Sequence, residues 1–223
     1  MKDGIIVVNK PKGLTSHAVV ERIRKILGIK RIGHAGTLDP LASGVLVILV
    51  GKSTKFFRKF LAYEKTYLAT LTLGKSTDTG DILGRPIKEM PVPPIDKAMI
   101  ENVFKEFTGY IEQVPPMFSA LKYKGKRLYE LARLGIEVPR QSRRVFIGKL
   151  QLIDFKDNNI KFYVSCSTGT YIRKLASDIA ERLNCVGCIS EITRLKVGPF
   201  TIEEAVELDK VDESCILSIQ NFI

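Results

Sequence analysis

Gly33-His34-Ala35-Gly36-Thr37-Leu38-Asp39-Pro40-Leu41-Ala42-Ser43-Gly44 holds one carboxylate and one imidazole among residues that turn or stiffen a backbone. Glycine admits positive φ, and Pro40 fixes its own φ while pushing Asp39 toward extended geometry, so the Asp39 side chain is presented from a defined bend. A carboxylate held that way is a candidate nucleophile or base. Taken alone, an Asp-Pro pair reads more readily as a surface turn whose aspartate bonds its own backbone. The surrounding chain decides between the two.

Outward from this stretch, strands and helices mix. Gly4–Asn9 reads as a strand and Lys10-Pro11-Lys12-Gly13 as a turn. Ser16 then caps a helix whose apolar positions Val19, Val20, Ile23, Ile26 and Leu27 keep the 3.6 period until Gly28. Val45–Val50 is a short apolar strand, and the spacing predicts a helix over 53–62 that buries Phe56, Phe57, Phe60 and Leu61. Residues 64–74 alternate cleanly, placing Tyr67, Ala69, Leu71 and Leu73 on one face. Asp96 caps a helix burying Ile100, Val103, Phe104 and Phe107, and Lys126–Leu134 reads as a basic helix. Arg144–Phe155 and Ile160–Cys166 form a hairpin turned by Asp157-Asn158-Asn159. The next helix carries Tyr171 and Arg173 in its first turn, where a cation opposes the helix dipole unless an anion such as a carboxylate or phosphate is nearby. Ile189–Val197 is a last strand, and Thr201-Ile202-Glu203-Glu204 has the pattern of a capping box.

Composition narrows the function classes. Of 223 residues, 45% are hydrophobic and 26% charged, which marks an ordinary globular chain. The apolar run Val45–Val50 is too short to span a bilayer, and Met1-Lys2-Asp3-Gly4 leads into a strand rather than a signal peptide. These features predict a cytoplasmic protein without a membrane partner. Thirty-five Lys and Arg against 24 Asp and Glu leave +11, which favours a polyanion. Cys185-Val186-Gly187-Cys188 has zinc-ligand spacing, but no second such pair exists and the histidines are His17 and His34, so buried or loop thiols are expected. Ser76–Asp81 lacks the ligand spacing of an EF-hand and reads as Asx turns.

Six spaced motifs in order resemble the TruB family of tRNA pseudouridine synthases: Gly4–Ser16 (GIIVVNKPKGLTS), Gly33–Lys55, Lys65–Ala69 (KTYLA), Gln113–Lys122, Gly169–Arg173 (GTYIR) and Arg194–Phe200 (RLKVGPF). The resemblance implies the α+β pseudouridine synthase fold, a mixed and largely antiparallel sheet flanked by helices with a central RNA-binding cleft. It implies isomerisation of uridine 55 in the tRNA T-loop, with no cofactor and no metal. By resemblance, Asp39 is the catalytic aspartate, Arg173 the arginine that pairs with it, and Tyr67 the tyrosine that stacks on the flipped base. His34 occupies space beside the displaced base, Tyr171 supports the pocket, and Ile192, where relatives commonly have leucine, contacts uracil through its backbone. Lys10, Pro11, Gly13, Gly36 and Pro40 support the loop. Lys124, Lys126, Arg127, Arg143 and Arg144 contact phosphates, giving salt-dependent affinity rather than base choice.

The expected organisation is a catalytic domain over 1–207, with residues 123–144 as an RNA-clamping insertion and 208–223 as a short tail that is no complete PUA domain. The partner is tRNA through its T-stem-loop, the protein a monomer needing no obligate protein partner. Two other readings stand beside this one: a guide-dependent synthase of the Cbf5/dyskerin type, and a non-catalytic tRNA chaperone.

Overall fold

A computed structural model describes residues 3–222, in two compact units: one runs to Tyr67 and resumes at Ile192, the other spans Leu68–Glu191. The first unit opens with β1 (Gly4–Lys10), whose near-continuous burial follows from Ile5, Ile6, Val7 and Val8. Helix α1 (Ser16–Leu27) is capped by Thr15, one residue before the expected cap, because the Thr15 hydroxyl accepts from Ala18 N. Gly28 ends the helix with φ +65°. Val19, Val20 and Ile23 are buried, while Ile26 remains exposed.

Strand β2 (Ile32–His34) pairs antiparallel with β3 (Ser43–Val50), which also pairs antiparallel with β1 along its whole length. The helix expected over 53–62 is a 3₁₀ segment, Gly51–Phe56, followed by a short α2 (Phe57–Ala62). Only Phe60 of its aromatic residues is buried; Phe56 and Phe57 point outward. Phe60 joins Val45, Val47, Leu49, Val197 and Phe200 in the core of this unit.

Strand β4 (Lys65–Leu73) carries the chain into the second unit, and its alternation puts Tyr67, Ala69, Leu71 and Leu73 on the buried face as expected. Strands β5 (Lys75–Thr77) and β6 (Pro86–Glu89) form a hairpin around the polar Ser76–Asp81 segment. Asp96 caps α3 (Lys97–Glu106) by accepting from Met99 N, and Ile100, Val103 and Phe104 are buried. Next come β7 (Gly109–Gln113), the small hairpin of β8 (Lys122–Tyr123) and β9 (Lys126–Arg127), and α4 (Leu128–Arg133). The basic helix expected from Lys126 starts at Leu128, because Lys124 (φ +45°) and Gly125 (φ +87°) turn the hairpin first.

Strand β10 (Arg143–Lys156) pairs antiparallel with both β7 and β11 (Asn159–Cys166), the latter across the Asp157-Asn158 turn at φ +49° and +61°. Helix α5 (Ile172–Arg182) follows, then β12 (Gly187–Val197), inside which the chain returns to the first unit. There β12 runs parallel to β3, and β13 (Phe200–Thr201) pairs with β12. The expected helix does not open at Thr201: Glu204 does bond Thr201 N, but residues 202–205 make a turn leading to β14 (Val206–Glu207), parallel to β1. Residues beyond it pack back on β1 through Ile5 and Leu217. Mixed and mostly antiparallel strands flanked by helices place the protein in the α+β class. Among the described residues no helix is long and apolar enough to cross a membrane.

Candidate active site

The Gly33–Gly44 stretch is the bend the sequence implied, and its backbone is held from several directions within the first unit. Ser16 Oγ donates to Leu38 O at 3.0 Å and accepts from Leu38 N at 2.8 Å. Gly13 N donates to Pro40 O at 2.7 Å, tying the Lys10–Gly13 turn to the loop, and Ala42 N donates to Asp39 O. Gly13 and Gly36 both adopt positive φ, which suits them to these turns.

Arg194, on β12, is a residue whose role the sequence did not reveal. Its side chain is 1% exposed, and its guanidinium donates to Val45 O at 2.7 Å, Gly36 O at 3.1 Å and Thr37 O at 3.4 Å. A planar fork of donors suits three carbonyls that approach from different directions. Gly44 completes the clamp, since a Cβ there would lie 2.2 Å from Arg194 O. Asp39 itself is half-buried at the centre of this fixed backbone, so the loop sets the direction from which its side chain departs.

Lys10 is fully buried, its ammonium donating to Pro11 O at 2.9 Å and Leu14 O at 2.6 Å. Burial draws its pKa down to about 8; the Asp39 charge opposes that shift and the Arg194 charge adds to it. His34 falls to about 4, chiefly through burial and then through the positive charges of Arg194 and His17. Its imidazole is therefore neutral near pH 7, and its Nδ1 is buried without a hydrogen-bond partner among the described residues. Tyr67 and Ile192 are each 9% exposed, on β4 and β12.

In the second unit, Tyr171 precedes α5 and is gripped through its backbone by Gln113: Tyr171 N donates to Gln113 Oε1 at 2.9 Å, and Gln113 Nε2 donates to Tyr171 O at 3.2 Å. A side-chain amide thus satisfies the backbone N–H of the residue from which α5 starts. Arg173 is 7% exposed and donates to the carbonyls of Thr79 and, at 2.8 Å, Phe118. These acceptors answer part of the electrostatic difficulty of a cation in a first helical turn. Gly80 lies against the Arg173 Cβ.

The basic candidates lie on two elements. Lys124, Lys126 and Arg127 are exposed on the β8–β9 hairpin, while Arg143 and Arg144 are exposed at the start of β10, where Arg143 pairs with Gln113. Arg143, Arg140, Lys122 and Tyr123 border a cavity of about 430 Å³. Cys185 and Cys188 are buried free thiols, and burial raises the Cys188 pKa.

Comparison with known proteins identifies the family. Residues 24–172 match the TruB family pseudouridylate synthase N-terminal domain, and residues 173–221 match the tRNA pseudouridylate synthase B C-terminal domain. The tRNA pseudouridine synthase B of Hydrogenovibrio crunogenus is 45% identical over 210 residues, covering 94% of this chain and 69% of that protein. That of Geobacillus kaustophilus is 47% identical over 217 residues, covering 94% and 76%. Among solved structures, the Cbf5-Nop10-Gar1 complex contains a chain with TM-score 0.76 and 29% identity; the match covers 97% of this chain and 60% of that one. These matches define the chain as a pseudouridine synthase. It belongs to the TruB family.

Proposed function

We propose that this enzyme converts uridine 55 in the T-loop of tRNA to pseudouridine. The reaction breaks the N1–C1′ bond, turns the base and forms a C5–C1′ bond; N1 gains a proton and C5 loses one, so no oxidant or energy source is consumed. The observation that carries the reading is the Asp39 loop, whose backbone is clamped by Ser16, Gly13 and Arg194 while its carboxylate stays half-buried. Such a group suits covalent attack on an extruded nucleotide. The names of the bacterial relatives, 45–47% identical, supply the tRNA substrate.

In this reading Asp39 is the nucleophile, Arg173 its cationic partner, and Tyr67 the ring on which the flipped uracil stacks. A neutral His34 fills space beside the base without adding charge. Tyr171 and Ile192 border the uracil, and Lys124, Lys126, Arg127, Arg143 and Arg144 meet phosphates. Residues 1–207 act as the catalytic domain and 123–144 close over the T-arm. The protein works in the cytoplasm as a monomer without a guide RNA or protein partner; the Cbf5 likeness, at 29% identity, is the more distant one.

The test is incubation of the purified chain with an unmodified tRNA transcript, without metal or nucleotide, followed by mapping of pseudouridine by position. Modification at position 55 is expected. Asp39→Asn should abolish it while leaving tRNA binding intact; loss of binding instead would favour a chaperone role.

A further inference from the structure

The sheet of the second unit has one covered face and one open face. Helix α3 packs on the covered face, where Phe104 meets Phe162 edge-on with centroids 6.0 Å apart. The alternation that turns Val145 and Ile147 inward turns Arg144 and Phe146 outward. A register shift between Ile147 and Lys149 skips Gly148 and brings Lys149 to the same open face. Across from them lie Glu112 and Tyr110 of β7, and Ser165 and Tyr163 of β11.

Three aromatic rings therefore share this face, and cations cover two of them. The Arg144 guanidinium sits 4.1 Å from the Tyr110 ring centroid, and the Lys149 ammonium 5.3 Å from that of Tyr163. Phe146 lies 4.9 Å from Tyr110, a residue nonetheless 66% exposed on the edge strand. Lys156 and Lys161 continue the face, so it carries four cations against Glu112 and Asp154, and Glu112 is bonded to Ser142. Rings and guanidinium planes on an open sheet, interleaved with positive charge, match the two surfaces of an unpaired nucleotide: a flat base and an anionic backbone. The face also adjoins the segment that leads to the site. Ser167 N donates to Phe146 O at 2.8 Å, Phe146 N donates to Ser167 Oγ at 2.9 Å, and Thr170 then leads into Tyr171 and Arg173.

We propose that the open face of β7, β10 and β11 is an RNA-contacting surface on which unpaired nucleotides stack against Tyr110, Phe146 and Tyr163 while Arg144 and Lys149 meet their phosphates. The inference rests on the reading that the substrate is RNA, and it extends that reading to single-stranded segments. Arg144 then recognises a base plane as well as a charge.

The experiment measures anisotropy of a fluorescein-labelled ten-nucleotide oligouridylate with the full chain. Tyr110→Ala should weaken binding about ten-fold, the scale of one lost base stack, without changing the salt dependence. Tyr110→Phe should restore it, and Arg144→Gln should weaken binding and lower the salt slope by about one. Irradiation of the unmutated protein with 4-thiouridine-labelled RNA should crosslink the peptide holding Tyr110 or Phe146. Equal affinity of Tyr110→Ala and the parent would overturn the proposal, as would a loss matched by a fall in melting temperature or crosslinks confined to other segments. Absence of oligouridylate binding beside normal modification of tRNA would remove this surface and leave the proposed function standing.

Discussion

Ser16 engages both backbone polar groups of Leu38 through a single hydroxyl, 22 residues away in sequence and directly before Asp39. Its neighbour Thr15 instead caps α1. The two adjacent hydroxyls therefore serve different ends. Ser16→Ala should cost about 1–3 kcal/mol, because it strands a buried donor and acceptor, and should slow turnover. Thr15→Ala should cost about 1 kcal/mol and leave turnover alone. Urea melts paired with a single-turnover assay separate them, and equal activity in both variants would refute the assignment.

Arg194 fixes the other side of the loop. Arg194→Met should cost about 3 kcal/mol or more, since the buried carbonyls of Val45 and Gly36, and the part-buried one of Thr37, lose their donor. Arg194→Lys keeps the charge, but one ammonium does not span Val45 O and Gly36 O together. That variant should fold and lose activity about ten- to a hundred-fold through misplacement of the loop. Wild-type turnover in Arg194→Lys would show that charge alone suffices.

Gly44 tests the same clamp from the backbone. Its φ is +101°, and an added Cβ would strike Arg194 O. Gly44→Ala should destabilise the protein by about 3 kcal/mol or more, measured as a shift in the denaturation midpoint.

His34 gives a pH signature. Its folded pKa of about 4 lies below the ordinary 6.5, so between those values the unfolded chain takes up a proton that the buried ring refuses. The resulting stability is present above pH 6.5 and is lost as pH falls toward 4. His34→Asn removes this dependence. Relative to the variant, the parent should lose on the order of 2 kcal/mol between pH 7 and 4.5, allowing for solvent near a partly exposed ring. Parallel pH–stability curves for the two proteins would count against it.

Much of the fold was legible where a local pattern had one physical meaning. The period-2 burial of β4, the Asp96 cap and the Asp157-Asn158 turn all follow from nearest neighbours. Residues 51–62 misled because a dense aromatic run resembles a helix face, whereas Gly51 at φ +60° opens a 3₁₀ segment that phases Phe56 and Phe57 outward. The Thr201–Glu204 side-chain bond formed without a helix, since Ile202 N turns back to Leu195 O. Among the candidate residues, Asp39 stood out by its flanking glycines and proline, and Arg173 by its charge in a first helical turn. Arg194, Ser16 and Gln113 did not stand out, because their partners are mainly backbone groups 158, 22 and 58 residues away. Side chains that serve distant peptide units leave no periodic trace.

The span between Arg194 and Gly36 has a consequence for biosynthesis. A chain emerging from the ribosome makes the Asp39 segment early, yet the guanidinium that secures it arrives more than 150 residues later. Contacts of such long range form late in folding. The nascent protein therefore carries Asp39 in an unsecured loop for most of translation, and that loop is fixed only once β12 is laid beside β3.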